Sequence, residues 1–195
     1  MHVTELVTDR LVLRGWQSSD RAPFRTMNAD PVVMEFFPSV LTADESDRLA
    51  AGIQSNLEER GWGLWAVEVT DGPSFIGFVG LSPAGIGGRD LAPMVEVGWR
   101  LMSPAWGRGF ATEAARAAVA HGFDVLGLDE IVSFTAASNA RSRAVMERLG
   151  MLHDPGEDFD HPLLPAGHPV RPHVLYRLRR TRFNRAAVEP RSSGR

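Results

Sequence analysis

The stretch 106–113 (Trp-Gly-Arg-Gly-Phe-Ala-Thr-Glu) constrains the fold of this chain more than any other. It joins a strand-like run over 95–101 to a helix-like run beginning near Thr112. Gly107 and Gly109 let the backbone turn tightly and approach a ligand closely. A helix starting there points its unbonded first-turn N–H groups, and the positive end of its dipole, back at the turn. Strand, glycine turn and helix start together make a seat for a phosphate-bearing ligand.

Three kinds of nucleotide-binding turn compete for this stretch. A Walker A loop needs a Lys beside its last Gly, and the chain contains no Lys. A Rossmann fingerprint asks for Gly or Ala where Thr112 stands, and for an acid at the end of the next strand. Asp129 and Glu130 stand at the start of that strand instead. The third pattern fits. Trp106, Gly109 and Ala111 form W-x-x-G-x-A, which resembles the Q/R-x-x-G-x-G/A pyrophosphate loop of the GCN5-related N-acetyltransferases (GNAT). Trp replaces the usual Gln or Arg at the first position. The run W-G-x-G-F-A-T-E-A is similar to that of the ribosomal-protein N-terminal acetyltransferase (RimJ/RimL-type) branch.

A second segment, 139–151, resembles the same family's N-x-x-S-x-x-[VM]-x-x-[KR]-L-G-[FM] helix through Asn139, Ser142, Val145, Arg148, Leu149, Gly150 and Met151. Asn139 suits an N-cap and Gly150 a C′ position, so the helix is delimited at both ends. Ser142, Val145, Met146 and Leu149 recur at helical spacing, which places one hydroxyl on an apolar face. Such a hydroxyl either serves a ligand or bonds back to its own helix.

The rest of the chain reads as one alternating α/β unit without repeats. Strand patterns lie over 10–14, 64–69, 75–81, 95–101, 131–135 and 174–178. Ser18 or Ser19 is placed to cap a helix running toward Ala29, with Pro31 at its exit. Thr42-Ala43-Asp44-Glu45 is a capping box opening a helix through Leu49, Ile53 and Leu57 to Gly61. A further helix runs from the glycine turn to near Gly127. The expected fold is a mixed-sheet α/β domain over 1–180. The resemblance extends from residue 8 to 180 and implies the acyl-CoA N-acyltransferase order β-α-α-β-β-β-α-β-α-β-β. A polar, Arg-rich tail over 181–195 is expected to lie outside the domain.

Composition removes several alternatives. At 195 residues, 44% of them hydrophobic, the chain supports a single full core. A net charge of −3 gives no nucleic-acid footprint. With no Cys, thiol nucleophiles and Cys-based zinc sites are excluded, and with no Lys so is Schiff-base chemistry. No apolar run approaches a membrane span and the N-terminus lacks a signal-peptide pattern, so a cytoplasmic protein is expected. The segment 152–162 carries two His and four acids. Their spacing matches no metal-ligand pattern, and it reads as a solvated acidic loop whose rim suits a cationic acceptor.

The chemistry of acetyl transfer to an amine needs a held thioester, a proton acceptor and a stabilised thiolate. Glu96 shares one strand face with Gly98 and Arg100, while Val95, Val97, Trp99 and Leu101 share the other. The resemblance makes Glu96 the general base; the plain alternatives are a solvent-facing strand residue or an ion pair with Arg100. It also places Ser142 at the leaving sulfur and Asn139 at the pantetheine arm. It implies that the strand 97–101, with Trp99 and Leu101, pairs with the pantetheine amides like an added strand. Trp106, Gly107, Arg108, Gly109, Phe110, Ala111 and Thr112 then hold the pyrophosphate. Tyr176, the single Tyr, reads as core. The implied activity is N-acetyl transfer from acetyl-CoA, as co-substrate and without a metal, to a peptide N-terminus or a small-molecule amine. Direct attack in a ternary complex is expected, with the protein a monomer or homodimer. The alternatives are an antibiotic- or polyamine-type acetyltransferase, and an acyl-CoA-binding sensor without turnover.

Overall fold

The structure, a computed structural model, describes residues 3–86 and 89–183. Its elements follow the chain as β1 (Leu6–Val7), β2 (Leu11–Arg14), α1 (Arg21–Ala29), α2 (Ala43–Arg60), β3 (Leu64–Val69), β4 (Gly77–Ile86), β5 (Arg89–Leu101), α3 (Phe110–Asp124), β6 (Glu130–Ala136), α4 (Ala140–Arg148), β7 (Leu152–His153), β8 (Phe159–Asp160) and β9 (Pro172–Arg179). Among the described residues the strands form one sheet in the order β1-β2-β3-β4-β5-β6-β9-β7, with β8 also on β9. The sheet is mixed, as expected. Every pairing is antiparallel except β5 with β6. Two strands are additions to the expected order, β1 and one of the pair β7 and β8, each of two residues and too short to leave a periodic signal.

The β5–β6 junction shapes everything that follows. Only Glu96 and Val132 are in register there. From that point β5 follows β4 as far as the Gly77–Leu101 pair, while β6 follows β9 along its whole length. The two central strands therefore part, and a cleft opens through the sheet.

Helices cover both faces. Phe78 on β4 packs against Phe24 of α1, with ring centroids 6.1 Å apart. On the opposite face α3 comes so close that a Cβ on Gly122 would lie 3.0 Å from Leu81 Cδ1. The core is continuous through the sheet, with Trp65, Val67, Val79, Leu81 and Val97 fully buried.

Local signals set the helix ends. Thr42 accepts from the Glu45 N–H, the Glu45 carboxylate accepts from the Thr42 N–H at 2.8 Å, and Gly61 closes α2 in the left-handed region at φ 76°. Helix α1 begins differently from the serine cap expected. The Gln17 N–H donates to Asp20 Oδ2 at 2.8 Å, a 3-10 turn covers Ser18–Asp20, and α1 follows. Asp20 is buried and bidentate with Arg14 at 2.9 and 3.0 Å. A buried pair of this kind fixes geometry, because losing one partner strands the other charge. It anchors α1, whose Asn28 Oδ1 accepts from Arg100 Nη1 at 2.6 Å.

At the far end Phe183 rests on Phe123, with centroids 5.4 Å apart. The rest of the expected tail, from 184 onward, lies outside the described residues. No helix among the described residues is long and apolar enough to cross a membrane.

Candidate active site

The cleft is a cavity of about 1440 Å³ that reaches from the glycine turn at one end to β6, β9 and the α1–α2 connection at the other. It touches every residue assigned to the site from sequence except Arg108.

At one end of the cleft the glycine turn has the backbone conformation its sequence implied. Gly107 has φ 73° and Gly109 φ 82°, both in the left-handed region. Gly109 is the N-cap of α3, which begins at Phe110, two residues earlier than expected. No side chain caps this end, so the first N–H groups of α3 face the cavity. The Arg108 side chain leaves the cavity and stacks on Phe110, its Cζ 4.6 Å from the ring centroid. Arg10 covers Phe110 at 4.8 Å, donates to the Arg108 carbonyl at 3.0 Å and pairs with Glu113. That clip, whose Arg10 and Glu113 also line the cavity, holds the turn. Trp106 is fixed by its Nε1–H donating to the Leu101 carbonyl at 2.8 Å and by Arg141 Cζ 4.6 Å from its ring.

The parted edge of β5 offers backbone. A Cβ on Gly77 would run into the Arg100 carbonyl, and the Met102 N–H donates to Ile76 at 2.8 Å, so both groups point toward β4. By alternation those of Trp99 and Leu101 point the other way, into the gap. The Leu101 carbonyl is the one that Trp106 occupies.

Helix α4 supplies a polar cluster facing the same gap. Asn139 caps α4 by accepting from the Ser142 N–H at 3.1 Å. Its amide donates to Thr135 Oγ1 at 3.0 Å and to Ser142 Oγ at 3.1 Å. Trp99 Nε1–H also reaches Ser142 Oγ, at 3.3 Å. Ser142 does not bond back to its own helix. Its oxygen accepts from two side-chain donors, which leaves its one proton free for the cavity.

Glu96 stands on the opposite face of β5 from Trp99, beside Ser82 of β4. Burial pushes its carboxyl up to about 8. The cavity reaches it. It is neither a solvent-facing strand residue nor an ion pair with Arg100. A carboxyl with a raised pKa and a hydroxyl that accepts from two side-chain donors thus both line the cleft.

The other end of the cleft is built from parts that carried no readable motif. Phe36 and Phe37 reach in from the α1–α2 connection, Phe134 from β6, His161 from the loop after β8 and His173 from β9. The two imidazoles lie 5.1 Å apart, and burial lowers the pKa of each. Arg100 sits under Phe37, its Cζ 4.0 Å from that ring. The alternation on β5 placed Arg100 on the face of Glu96; nothing in the sequence placed Phe37 or Asn28 beside it.

The acidic segment departs from the expected rim. Glu157 pairs with Arg177 at 2.6 Å, Asp158 with His153 at 2.7 Å and Asp160 with Arg171 at 2.9 Å. Asp154 accepts from the Gly156 N–H at 2.9 Å. None of these acids lines the cavity; His161 and Leu164 do. Among the described residues no three His, Asp or Glu are grouped to hold a metal ion. Tyr176 is buried, stacked on His153 at 5.0 Å, and bonded to Arg143 and Glu147 away from the cavity.

Comparison with known proteins agrees with this geometry. Residues 10–152 match the acetyltransferase (GNAT) domain family. A Bacillus subtilis protein, YkkB, is 30% identical over 149 residues, covering 76% of this chain and 85% of that protein. An Aspergillus fumigatus FsC-acetyl coenzyme A-N(2)-transacetylase is 32% identical over 154 residues, covering 76% of this chain and 65% of that protein. The crystal structure of an acetyltransferase from Agrobacterium tumefaciens is 28% identical with a TM-score of 0.72, covering 91% of this chain and 95% of that one. The family match spans the glycine turn, the parted strands and the serine-bearing helix together, and the chain belongs to the GNAT acetyltransferase family.

Proposed function

We propose that the protein is an N-acetyltransferase that moves the acetyl group of acetyl-CoA to a primary amine by direct attack in a ternary complex. The observation that carries this reading is the placement of Glu96 and Ser142 on the two faces of one cleft, which also holds the glycine turn. The family uses acetyl-CoA, and the turn supplies backbone donors for its pyrophosphate. Pantetheine would lie along the free edge of β5 at Trp99 and Leu101, as an added strand. Asn139 would hold that arm from α4.

The steps balance without a covalent enzyme intermediate. The Glu96 carboxylate takes one proton from the bound ammonium and later releases it to solvent. The neutral nitrogen attacks the thioester carbonyl carbon, the C–S bond breaks, and the departing thiolate takes its proton from Ser142 Oγ. The second proton, shed by the acylated nitrogen, returns to the serine through solvent. Burial matters here, because a carboxyl at about 8 is matched to proton transfer near neutral pH, where carboxylates of ordinary pKa are weak bases.

The W-G-x-G-F-A-T-E run supports a finer placement in the RimJ/RimL-type group. The test is release of free CoA thiol from acetyl-CoA with panels of peptides, amino acids and polyamines. Turnover with one panel supports the transferase. Tight acetyl-CoA binding with no thiol release from any amine would instead favour a sensor.

A further inference from the structure

The acceptor end of the cleft holds a cation without a counter-ion. Arg100 lines the cavity two residues beyond Gly98, on the face that carries Glu96. Its guanidinium is clamped in place. Nη1 donates to Asn28 Oδ1 at 2.6 Å, and Cζ lies 4.0 Å from the Phe37 centroid and 5.5 Å from that of Phe78. Nε is buried with no hydrogen-bond partner. Among the described residues no carboxylate lies within ion-pair distance of it. Asn28 cannot neutralise it, being an amide that is itself committed to Ser46 at 2.9 Å. An arginine taken from water without an anion is costly, and burial draws this one down to about 10.

Glu96 is its mirror image. Its carboxylate is half-buried and, among the described residues, also has no counter-ion, and desolvation raises it to about 8. Glu96 Oε1 leans along the strand, 3.6 Å from where a Cβ on Gly98 would lie. Because residue 98 has no side chain, nothing stands between the two groups on that face. Yet they do not pair. A strand rises about 3.3 Å per residue, so their backbones are about 13 Å apart. Once Glu96 ionises, toward pH 8, two unpaired groups of opposite sign face one cavity and are complementary to a ligand that carries both charges.

We propose that the acceptor is an amine that also bears a carboxylate, an amino-acid-like zwitterion whose anionic end docks on Arg100 while its amine faces Glu96. The planar guanidinium fork matches a carboxylate in a way a point charge does not. Phe36, Phe37, Phe78 and Phe134 give the pocket aromatic walls, so the zwitterion has an apolar body. A polyamine fits poorly, because its second cation would meet Arg100 in a site of low dielectric. Glu157 and Asp160 of the acidic segment are paired outside the cavity. The amine's role rests on the acetyl-transfer reading; the anion site stands without it.

Two arms keep those readings apart. In the binding arm, benzoate and its neutral twin benzamide are titrated by calorimetry into the protein, with and without saturating CoA. Benzoate should bind about tenfold more tightly or better, the worth of a charge-assisted hydrogen bond. Arg100→Gln should bring the two to parity, and Arg100→Lys should keep part of the preference. Phe37→Glu places an internal carboxylate beside the guanidinium and should also remove the preference; it covers the case in which Arg100→Gln does not fold. In the turnover arm, phenylalanine should exceed phenylalaninamide by a similar factor in kcat/KM, and spermidine should trail both. Equal binding of benzoate and benzamide overturns the proposal, as does faster acetylation of the amide or of spermidine. A benzoate preference with no thiol release from any amine would instead defeat acetyl transfer and leave the anion site standing.

Discussion

The two ends of the cleft are assembled in opposite ways. At the cofactor end the exposed groups are backbone N–H groups of one continuous segment, 106–112, with two left-handed glycines and a helix start. At the acceptor end they are side chains from β5, the α1–α2 connection, β6, the loop after β8 and β9. A phosphate recognised by backbone can be written in a few adjacent residues, because the conformation of one turn creates the site. A pocket made of side chains from six places, Phe78 of β4 included, is written nowhere in particular. The cofactor end should therefore fail through conformation, and the acceptor end through chemistry.

The largest effect separates them on the acceptor side. Glu96→Gln should lower kcat by about 10²–10⁴, the usual worth of a positioned general base, and leave CoA affinity within about threefold. The pH profile sharpens the assignment. The base must be deprotonated, and burial holds its proton until about pH 8. The wild-type kcat/KM should thus rise with pH and level off above about 8, while the variant loses this limb. Stability moves the other way. A carboxyl with a raised folded pKa holds its proton while the unfolded chain has released it, so its contribution falls as pH climbs from 4.5 to about 8. Glu96→Gln should melt higher than wild type at pH 8, with the gap closing near pH 4. A flat rate profile together with a loss of kcat under threefold would remove Glu96 from the chemistry.

Next in size is the conformational break. Gly109→Val should weaken CoA binding by about 10²-fold by calorimetry, since a β-branched residue is held there only at a cost of about 1–3 kcal/mol, with a side chain added at the ligand's approach. A Cβ would meet no protein atom closer than Arg10 Nη2 at 3.4 Å, so the protein itself has room for it. A folded variant with unchanged CoA affinity would show that the turn is not the cofactor's seat.

What was legible follows the same division. Helix α2 could be read to the residue because both ends are local chemistry: a Thr42–Glu45 box and a left-handed Gly61. The glycine turn and the Asn139 cap were legible for the same reason. The start of α1 was not, because Asp20 is set by Arg14, a tertiary partner that outweighed the nearby serines. Glu96 could be assigned a face but not an environment. Its raised pKa comes from how protein closes over β5, which no alternation encodes. The acids of 154–160 failed as a rim because their arginine partners, Arg171 and Arg177, lie elsewhere in the chain.

A smaller effect is expected at the boundary between the two ends. Ser142→Ala should lower kcat about 10- to 100-fold, the range for a hydrogen bond to a developing charge, with acetyl-CoA affinity nearly intact. It should also melt slightly lower than wild type. Ala is the better helix former, but the change removes the acceptor used by Trp99 Nε1 and Asn139 Nδ2. A normal rate with raised stability would mean that the hydroxyl serves only the fold. The thiolate would then take its proton from solvent.

The smallest effect tests whether the acidic segment belongs to the acceptor end at all. Glu157 is paired with Arg177, which also holds Glu130 at 2.6 Å. These pairings raise the Arg177 pKa, so the arginine stays charged at any working pH. Glu157→Gln removes one carboxylate and leaves Arg177 its second partner. A partly exposed pair is worth about 0–1 kcal/mol, so the melting temperature should fall by only a few degrees at most. Kinetics should change less. If the acids reach the acceptor only through a field already cancelled by arginine, KM for any amine should stay within about twofold, and adding salt should not alter that ratio. A severalfold rise in KM confined to polycationic amines, and erased at high salt, would show that the loop steers cations despite its pairing. That result would move the boundary of the acceptor end outward to 154–160.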